Sequence, residues 1–420
     1  MVKTQIDLFG KEDVEILHTL NKAKRPFNTK EIEAIKTKTG FSLLRNVQFI
    51  YELALAKKEL LAFGLDFHVA NDFRIFDVPS SKDMEVLKRR LAYFESINGT
   101  ITDYYYIIKY NQTTSVNQYL THWIYPYKGK FHPQMIRALL NIMQIKEGET
   151  VLDPFVGSGT AALECQLLGI NFVGIDISPL CYLLSRVKTE SIDVANEIEK
   201  VKKDIISDPK RIEKIKDDKV KNFFTIAQMV AHSDSSRRGR NYDFSFRSNT
   251  EKMHQSIRDY VEVRKKLGLT LGKTDIINGD IRKLNLKPES IDGIITSPPY
   301  SIALNYVAND SHSLQALGYD LKKISDDFVG VRGTGLNKFK LYDEDMEIAY
   351  KQMYTTLKPG KYCAVVIGNV TFQGEEIDTT QIATDACVKI GFKLVSKMEK
   401  IIFGLYNVMQ KEYILLFRKG

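Results

Sequence analysis

The sequence predicts an α/β fold: a doubly wound, mostly parallel sheet within residues 116–420, preceded by a mainly helical region at 1–115 and interrupted by a helical insertion at 190–270. Three observations carry this expectation. The run Glu149–Leu152 ends at Asp153 and enters the glycine-bearing turn Pro154–Thr160. A second run, Asn171–Ile175, ends at Asp176 after one helix length. A third, Ile291–Ile295, runs into Thr296-Ser297-Pro298-Pro299-Tyr300.

Along the chain, residues 12–60 read as small helices. Asn28-Thr29-Lys30-Glu31 resembles a capped helix start, and a second helix is expected through Leu43, Val47, Ile50, Tyr51 and Leu53. This helix–turn–helix outline suits either a winged-helix-like DNA-reading module or a helical cap on the domain that follows. Residues 81–96 give another helix. The aromatic stretch Tyr104–Tyr106, Tyr119, Trp123, Tyr125 and Tyr127 can stack on bases or pack at a domain junction.

From about residue 130 strands and helices alternate. The strands are expected at Glu149–Leu152, Asn171–Ile175, Asp275–Ile277, Ile291–Ile295, Tyr362–Ile367, Lys393–Val395 and Tyr413–Phe417, the last pair as an antiparallel hairpin. Seven strands in this rhythm describe a Rossmann-like sheet. Residues 190–270 are charged and mostly helical, with a loop expected at Ser233–Asn241. Its arginines Arg237, Arg238 and Arg240 can meet phosphates or lie on a solvated surface.

Gly157 and Gly159 allow a sharp strand-to-helix turn and close approach of a ligand, with Phe155, Ser158 and Thr160 around them. Asp176, at the tip of the second strand, can accept both ribose hydroxyls of a nucleotide cofactor. Asp280, after the third strand, can accept from an adenine amino group. The neighbouring Ile177 and Ile281 belong to the same candidate site. No lysine follows the glycines and no third glycine completes G-x-G-x-x-G, which argues against ATP and against a dinucleotide.

Ser297-Pro298-Pro299-Tyr300 follows the fourth strand, at the edge where open sheets bind ligands. The prolines stiffen the backbone. The Ser297 hydroxyl and the Pro298 carbonyl can accept the two protons of an exocyclic amine, and Tyr300 offers a face for a planar base. Glycine turn and tetrapeptide together point to methyl transfer from S-adenosylmethionine onto a base amino nitrogen. A base in a duplex must be flipped out to reach such a pocket, at a cost of a few kcal/mol. No Pro-Cys dipeptide is present, which excludes the covalent route to carbon-5 of cytosine. Asn305 and Tyr306 are candidates for lining the base pocket.

Composition agrees with this reading. The 420 residues imply two or more domains, and a net charge of +8 fits a polyanion partner without requiring one. Four dispersed cysteines suit a reduced, cytoplasmic protein without structural zinc. The first residues lack the pattern of a signal peptide, and no apolar run nears the ~20 residues a bilayer requires.

On these motifs the chain resembles the amino-group DNA methyltransferases of cytosine-N4 type, whose tetrapeptide is commonly Ser-Pro-Pro-Tyr. The resemblance begins at Lys128-Gly129-Lys130-Phe131-His132-Pro133 and covers the last two-thirds of the chain, with 190–270 inserted. It implies a class I methyltransferase fold acting as a site-specific DNA methyltransferase in a restriction–modification setting. Its partners would be double-stranded DNA and a cognate endonuclease, with no metal and no membrane. It places Asp153 and Phe131, His132 and Pro133 near the methionine part of the cofactor, although His132 can equally pack in a turn. The cofactor loop here precedes the tetrapeptide, whereas many cytosine-N4 enzymes show the permuted order. That leaves the DNA-reading region open. Adenine-N6 methylation, guanine-N2 methylation of tRNA and a non-catalytic DNA-binding regulator are the alternatives.

Overall fold

The computed structural model describes residues 29–70, 73–79, 83–299, 305–333, 335–372, 375–403 and 409–420. Within the first hundred or so of these residues, helices α1 (Thr29–Lys36), α2 (Ile50–Ala62), α3 (Met84–Arg90) and α4 (Asp103–Ile108) surround five short strands. These are β1 (Phe41–Leu43), β2 (His68–Val69), β3 (Ile75–Asp77), β4 (Phe94–Ile97) and β5 (Thr100–Ile101), paired antiparallel in the order β2-β3-β1-β4-β5.

The region expected to be mainly helical thus also carries a small sheet that the sequence did not announce. Leu43 lies in β1, and the second helix starts only at Ile50. The helix expected over 81–96 stops at Arg90 because the next residues are recruited elsewhere. The amides of Ala92 and Tyr93 donate to the buried carboxylate of Glu59 on α2, at 3.1 and 3.2 Å, which turns the chain into β4. Phe94 meets Phe41 and Phe76 edge-on, with ring centroids 5.9 and 5.4 Å apart. Residues 12–28 of the expected helical stretch, and the cap Asn28, lie outside the described residues.

The second sheet has seven strands: β6 (Thr150–Asp153), β7 (Asn171–Asp176), β8 (Thr274–Asn278), β9 (Ile291–Thr296), β10 (Leu357–Gly368), β13 (Phe392–Phe403) and β14 (Met409–Lys419). A separate two-stranded ribbon, β11 (Val370–Phe372) with β12 (Glu375–Ile377), follows β10. The sheet order is β13-β14-β10-β9-β6-β7-β8. Pairings from β8 through β10 are parallel, and β14 runs antiparallel to both neighbours, forming the expected terminal hairpin. This is the doubly wound α/β arrangement of class I methyltransferases.

Alternation along the strands explains the layering. Val151, Phe172, Ile295 and Val366 join a core with α5 (Pro133–Ile142) and α6 (Thr160–Leu167). Their neighbours Leu152, Ile175, Ile294 and Val365 face α14 (Gly335–Thr356) and α15 (Thr379–Ile390). The N-terminal module shares the first of these cores, through Leu55, Phe76 and Leu91. The tyrosine-rich segment packs at this junction, with Tyr104 and Tyr119 buried and their rings edge-on at 5.8 Å.

Between α7 (Pro179–Glu190) and β8 lie α8 (Ala195–Ser207), α9 (Asp218–Arg238) and α10 (Tyr242–Leu267). The loop expected at 233–241 shrinks to a short turn after Arg238. Asp234, buried, accepts from Arg238 at 3.0 Å and Asn249 at 3.1 Å, which holds the last turn of α9 closed until Gly239 (φ 63°) ends it. After β9 come α11 (Tyr306–Asn309), α12 (Ser311–Ala316) and α13 (Leu321–Asp327). Among the described residues no helix is long and apolar enough to cross a membrane.

Candidate active site

The turn after β6 depends on two glycines. Gly157 (φ 51°) and Gly159 (φ 74°) both adopt left-handed backbone. Gly159 caps α6, and a Cβ there would lie 2.8 Å from Ser185 Oγ and 2.9 Å from Ser185 Cα on α7. Ser185 Oγ in turn donates to the Gly157 carbonyl at 3.1 Å. Gly159→Ala is expected to destabilise the fold by about 1–3 kcal/mol through overpacking. It should weaken cofactor binding with it, measured by denaturant unfolding and cofactor titration; a variant matching wild type in both would refute this.

One cavity collects much of the predicted set. Around it stand Phe155, Gly157, Ser158 and Thr160 of the glycine turn, and Asp176 and Ile177 after β7. Asp280 and Ile281 after β8, and Ser297 and Pro299 after β9, complete the ring of strand ends, with Phe131 and Tyr306 alongside. His132, Pro133, Asp153, Gly159, Pro298 and Asn305 are not on its wall, and Tyr300 lies outside the described residues.

The neighbouring strands β6 and β9 bring the two motifs together. Thr296 Oγ1 donates to Asp153 Oδ1 at 2.7 Å, so the end of β9 is fastened to the start of the glycine turn. Asp153 Oδ1 also accepts from the Phe155 amide at 3.1 Å, whereas its buried Oδ2 has no hydrogen-bond partner among the described residues. Burial pushes the Asp153 carboxyl up to about 7. Asp176 accepts from the Gly157 amide (2.8 Å) and the Ser178 amide (2.9 Å), and burial raises it to about 6. Asp280 is gripped by Arg282, whose Nε reaches both carboxylate oxygens at 2.9 and 3.0 Å. Burial alone would raise Asp280, but Arg282 holds it below the usual range. An adenine amino group would share a carboxylate already engaged by a guanidinium.

Aromatic rings flank the cavity. Tyr306 lies between Tyr127 and Phe328, each pair with centroids 6.2 Å apart and planes within 22° and 19°. Asn305 uses its side chain to cap α11, accepting from Ala308 N at 3.0 Å. His132 Nδ1 lies 3.4 Å from Tyr51 Oη on α2, at the start of α5, and burial lowers its pKa to about 4. Of the three arginines, Arg237 is turned inward. It donates to Pro126 O at 3.2 Å, to Asn309 O, and to Asp310 Oδ1 at 3.1 Å, tying α9 to the segment after the tetrapeptide. Arg238 and Arg240 lean on Asp234 at 3.0 and 3.5 Å, with side chains 54% exposed.

Sequence reasoning named Tyr127 and Lys130 without placing them on this wall, and missed Phe328 and Val329 on it and Lys188 behind it. Phe328 and Val329 stand far downstream of both motifs, and nothing local marks them.

Fold and site together have the arrangement of a class I methyltransferase sheet with its ligand cavity at the strand ends. Residues 11–185 match the sequence model of a family described as DNA methylase, N6_N4_Mtase. A 73-residue stretch is 45% identical to the type II methyltransferase M.MjaII of Methanocaldococcus jannaschii, covering 17% of this chain and 14% of that one. Another of 106 residues is 34% identical to the type II methyltransferase M.BsoBI of Geobacillus stearothermophilus, covering 25% and 20%. A tRNA (guanine(10)-N2)-dimethyltransferase of M. jannaschii is 33% identical over 78 residues, covering 19% and 22%. The matched stretches thus span about a fifth or less of the two type II relatives. Over these stretches the chain is similar to amino-group DNA methyltransferases, enzymes whose cofactor is S-adenosylmethionine. The site fits that cofactor: Asp153 Oδ2 lacks a partner among the described residues, and the glycine turn and Asp176 share one cavity.

Proposed function

We propose that the chain methylates the exocyclic N4 of cytosine in duplex DNA, on a base flipped out of the helix, in a type II restriction–modification setting with a cognate endonuclease as partner. The observation that carries this is the placement of Ser297 and Pro299 on the same cavity as Gly157, Ser158 and Asp176. Bound there, S-adenosylmethionine supplies a methyl carbon activated by a sulfonium. The Ser297 hydroxyl and Pro298 carbonyl accept the amine protons, keeping the nitrogen lone pair directed at that carbon. Tyr300 stacks on the base, and Asn305 and Tyr306 line its pocket. Asp176 takes the ribose, Asp280 the adenine, and Ile177 and Ile281 flank its ring. Arg238 and Arg240, half in solvent, contact phosphates, and the N-terminal module reads the duplex.

Serine at the first tetrapeptide position favours cytosine over adenine. Nucleoside mass analysis of duplex DNA treated with the protein is expected to show N4-methylcytosine. N6-methyladenine instead would overturn the choice of base. Methylation of tRNA but not of duplex DNA would favour the guanine-N2 reading suggested by the tRNA-modifying relatives. DNA binding without transfer would favour a regulator.

A further inference from the structure

We infer that Arg237, in the last turn of the inserted helix α9, is a positioning residue: through Asp310 it latches the segment 305–327, which carries Tyr306, against the end of the aromatic stretch. Its effect on the reaction rests on the reading that Tyr306 lines the base pocket. The latch itself does not. Arg238 and Arg240 keep half of their side chains in solvent, whereas Arg237 is 27% exposed and is engaged on three sides. Its guanidinium donates to Pro126 O at 3.2 Å, to Asn309 O, and to Asp310 Oδ1 at 3.1 Å. One planar fork thus joins two stretches far apart in sequence.

Asp310 is a buried acceptor, 5% exposed, at the junction of α11 and α12. The same Oδ1 accepts from Tyr125 Oη at 2.8 Å, and that hydroxyl lies 2.9 Å from Ser313 Oγ on α12. Lys128 Nζ donates to the neighbouring Asn309 Oδ1 at 3.0 Å. Burial raises the Asp310 carboxyl, while the Tyr125 hydroxyl and the Arg237 charge pull it down. Among the described residues no other cation lies within 4.0 Å of Asp310. Loss of Arg237 therefore leaves a buried carboxylate without its counter-charge. The parts that meet here also share a core, in which Tyr125, Val307, Leu314 and Phe328 join Phe223 and Ile226 of α9.

The latch acts on both neighbours of one aromatic stack. Tyr306 begins α11, and Asn309, whose carbonyl Arg237 holds, ends it. Tyr127 follows Pro126, the other carbonyl that Arg237 holds. Tyr127, Tyr306 and Phe328 line the cavity, with Tyr306 between the other two rings. Arg237 is not on that wall. The insertion thus sets the position of the wall from behind. A shift of about 1 Å at a reacting group can cost about 100-fold in rate, even when the substitution is remote from it.

The test compares Arg237→Gln, Arg237→Lys and Asp310→Asn with wild type, in the full chain and on the nucleic acid that wild type methylates. Arg237→Gln is expected to lower kcat at saturating S-adenosylmethionine about 10–100-fold, with KM for the nucleic acid within about threefold of wild type. Arg237→Lys keeps the charge without the fork and should recover part of the rate. The double variant of Arg237→Gln and Asp310→Asn is expected to be no slower than the worse single one; losses that multiply overturn the inference. A raised KM with unchanged kcat and a shallower salt dependence would make Arg237 a phosphate contact and overturn it as well. Hydrogen exchange of the free protein supplies a readout without nucleic acid. The amides of Asp310, Ser313 and Leu314, which donate to Tyr306 O and Asp310 O, are expected to exchange at least about tenfold faster in Arg237→Gln, with those of β6 unchanged. Equal exchange overturns the latch. Should the glutamine variant fail to fold, Arg237→Lys and Asp310→Asn carry the same comparison. A wild type that methylates no nucleic acid would sink the reading of the site, and the exchange rates would still decide the latch.

Discussion

Replacing Ser297 by alanine is expected to lower the methyl-transfer rate by about 10²–10³-fold, the cost of losing one oriented polar group at a developing charge. Ser297 lines the same cavity as the glycine turn, after a strand whose last residue, Thr296, is bonded to Asp153. Removing one oxygen leaves that anchor and the Asp176 contacts in place. S-adenosylmethionine affinity should accordingly stay within about twofold of wild type, and DNA affinity likewise. The loss should appear in kcat and in single-turnover rate alike. A variant that transfers at the wild-type rate would remove Ser297 from the chemistry. One that loses rate only in step with cofactor affinity would make it a binding residue instead.

The second large effect is on stability. Glu164→Ala is expected to destabilise the protein by about 3–5 kcal/mol in denaturant unfolding, because it strands a buried guanidinium. Arg137 is 1% exposed, and besides Glu164 it meets the Arg89 carbonyl at 3.3 Å and the face of Tyr104 at 4.8 Å. Glu164→Gln, which keeps two oxygen- or nitrogen-bearing arms but no charge, should fall between alanine and wild type. The glutamate's pKa is depressed in the fold, so its contribution is present above the unfolded value of about 4.3 and is lost as pH falls below it. A change under about 1 kcal/mol for alanine would show that the network is stabilised by its surroundings rather than by the charge.

The parts legible in the sequence are those governed by local rules. Strands β6, β7 and β9 announce themselves as apolar runs ending in Asp or Pro-Pro, and the glycine turn follows from the conformations only glycine tolerates. The small N-terminal sheet was not legible, since β2 and β5 have two residues each and show no alternation. What makes β4 a strand is a carboxylate on α2 distant in sequence. Likewise Ser233–Arg238 reads as loop by composition, and becomes helix because Asp234 finds Asn249 across the α9–α10 hairpin. In the site, the acidic residues at strand tips were predictable by position. Lys188 was not, because a lysine that is buried beside a carbonyl looks in sequence like any surface lysine. Asp280 shows the opposite failure: its position is as expected, but Arg282 two residues on engages it.

The adjacency of β6 and β9, with Leu152 opposite Ile294, separates the catalytic encounter from the order of the gene. Donor and acceptor loops leave neighbouring strands of one sheet, yet the α9–α10 excursion lies between them in the chain. Exchanging the coding halves on either side of that excursion would reverse the motifs on paper and leave their meeting point in space untouched. A chain with the two motifs transposed could on this account keep the same geometry.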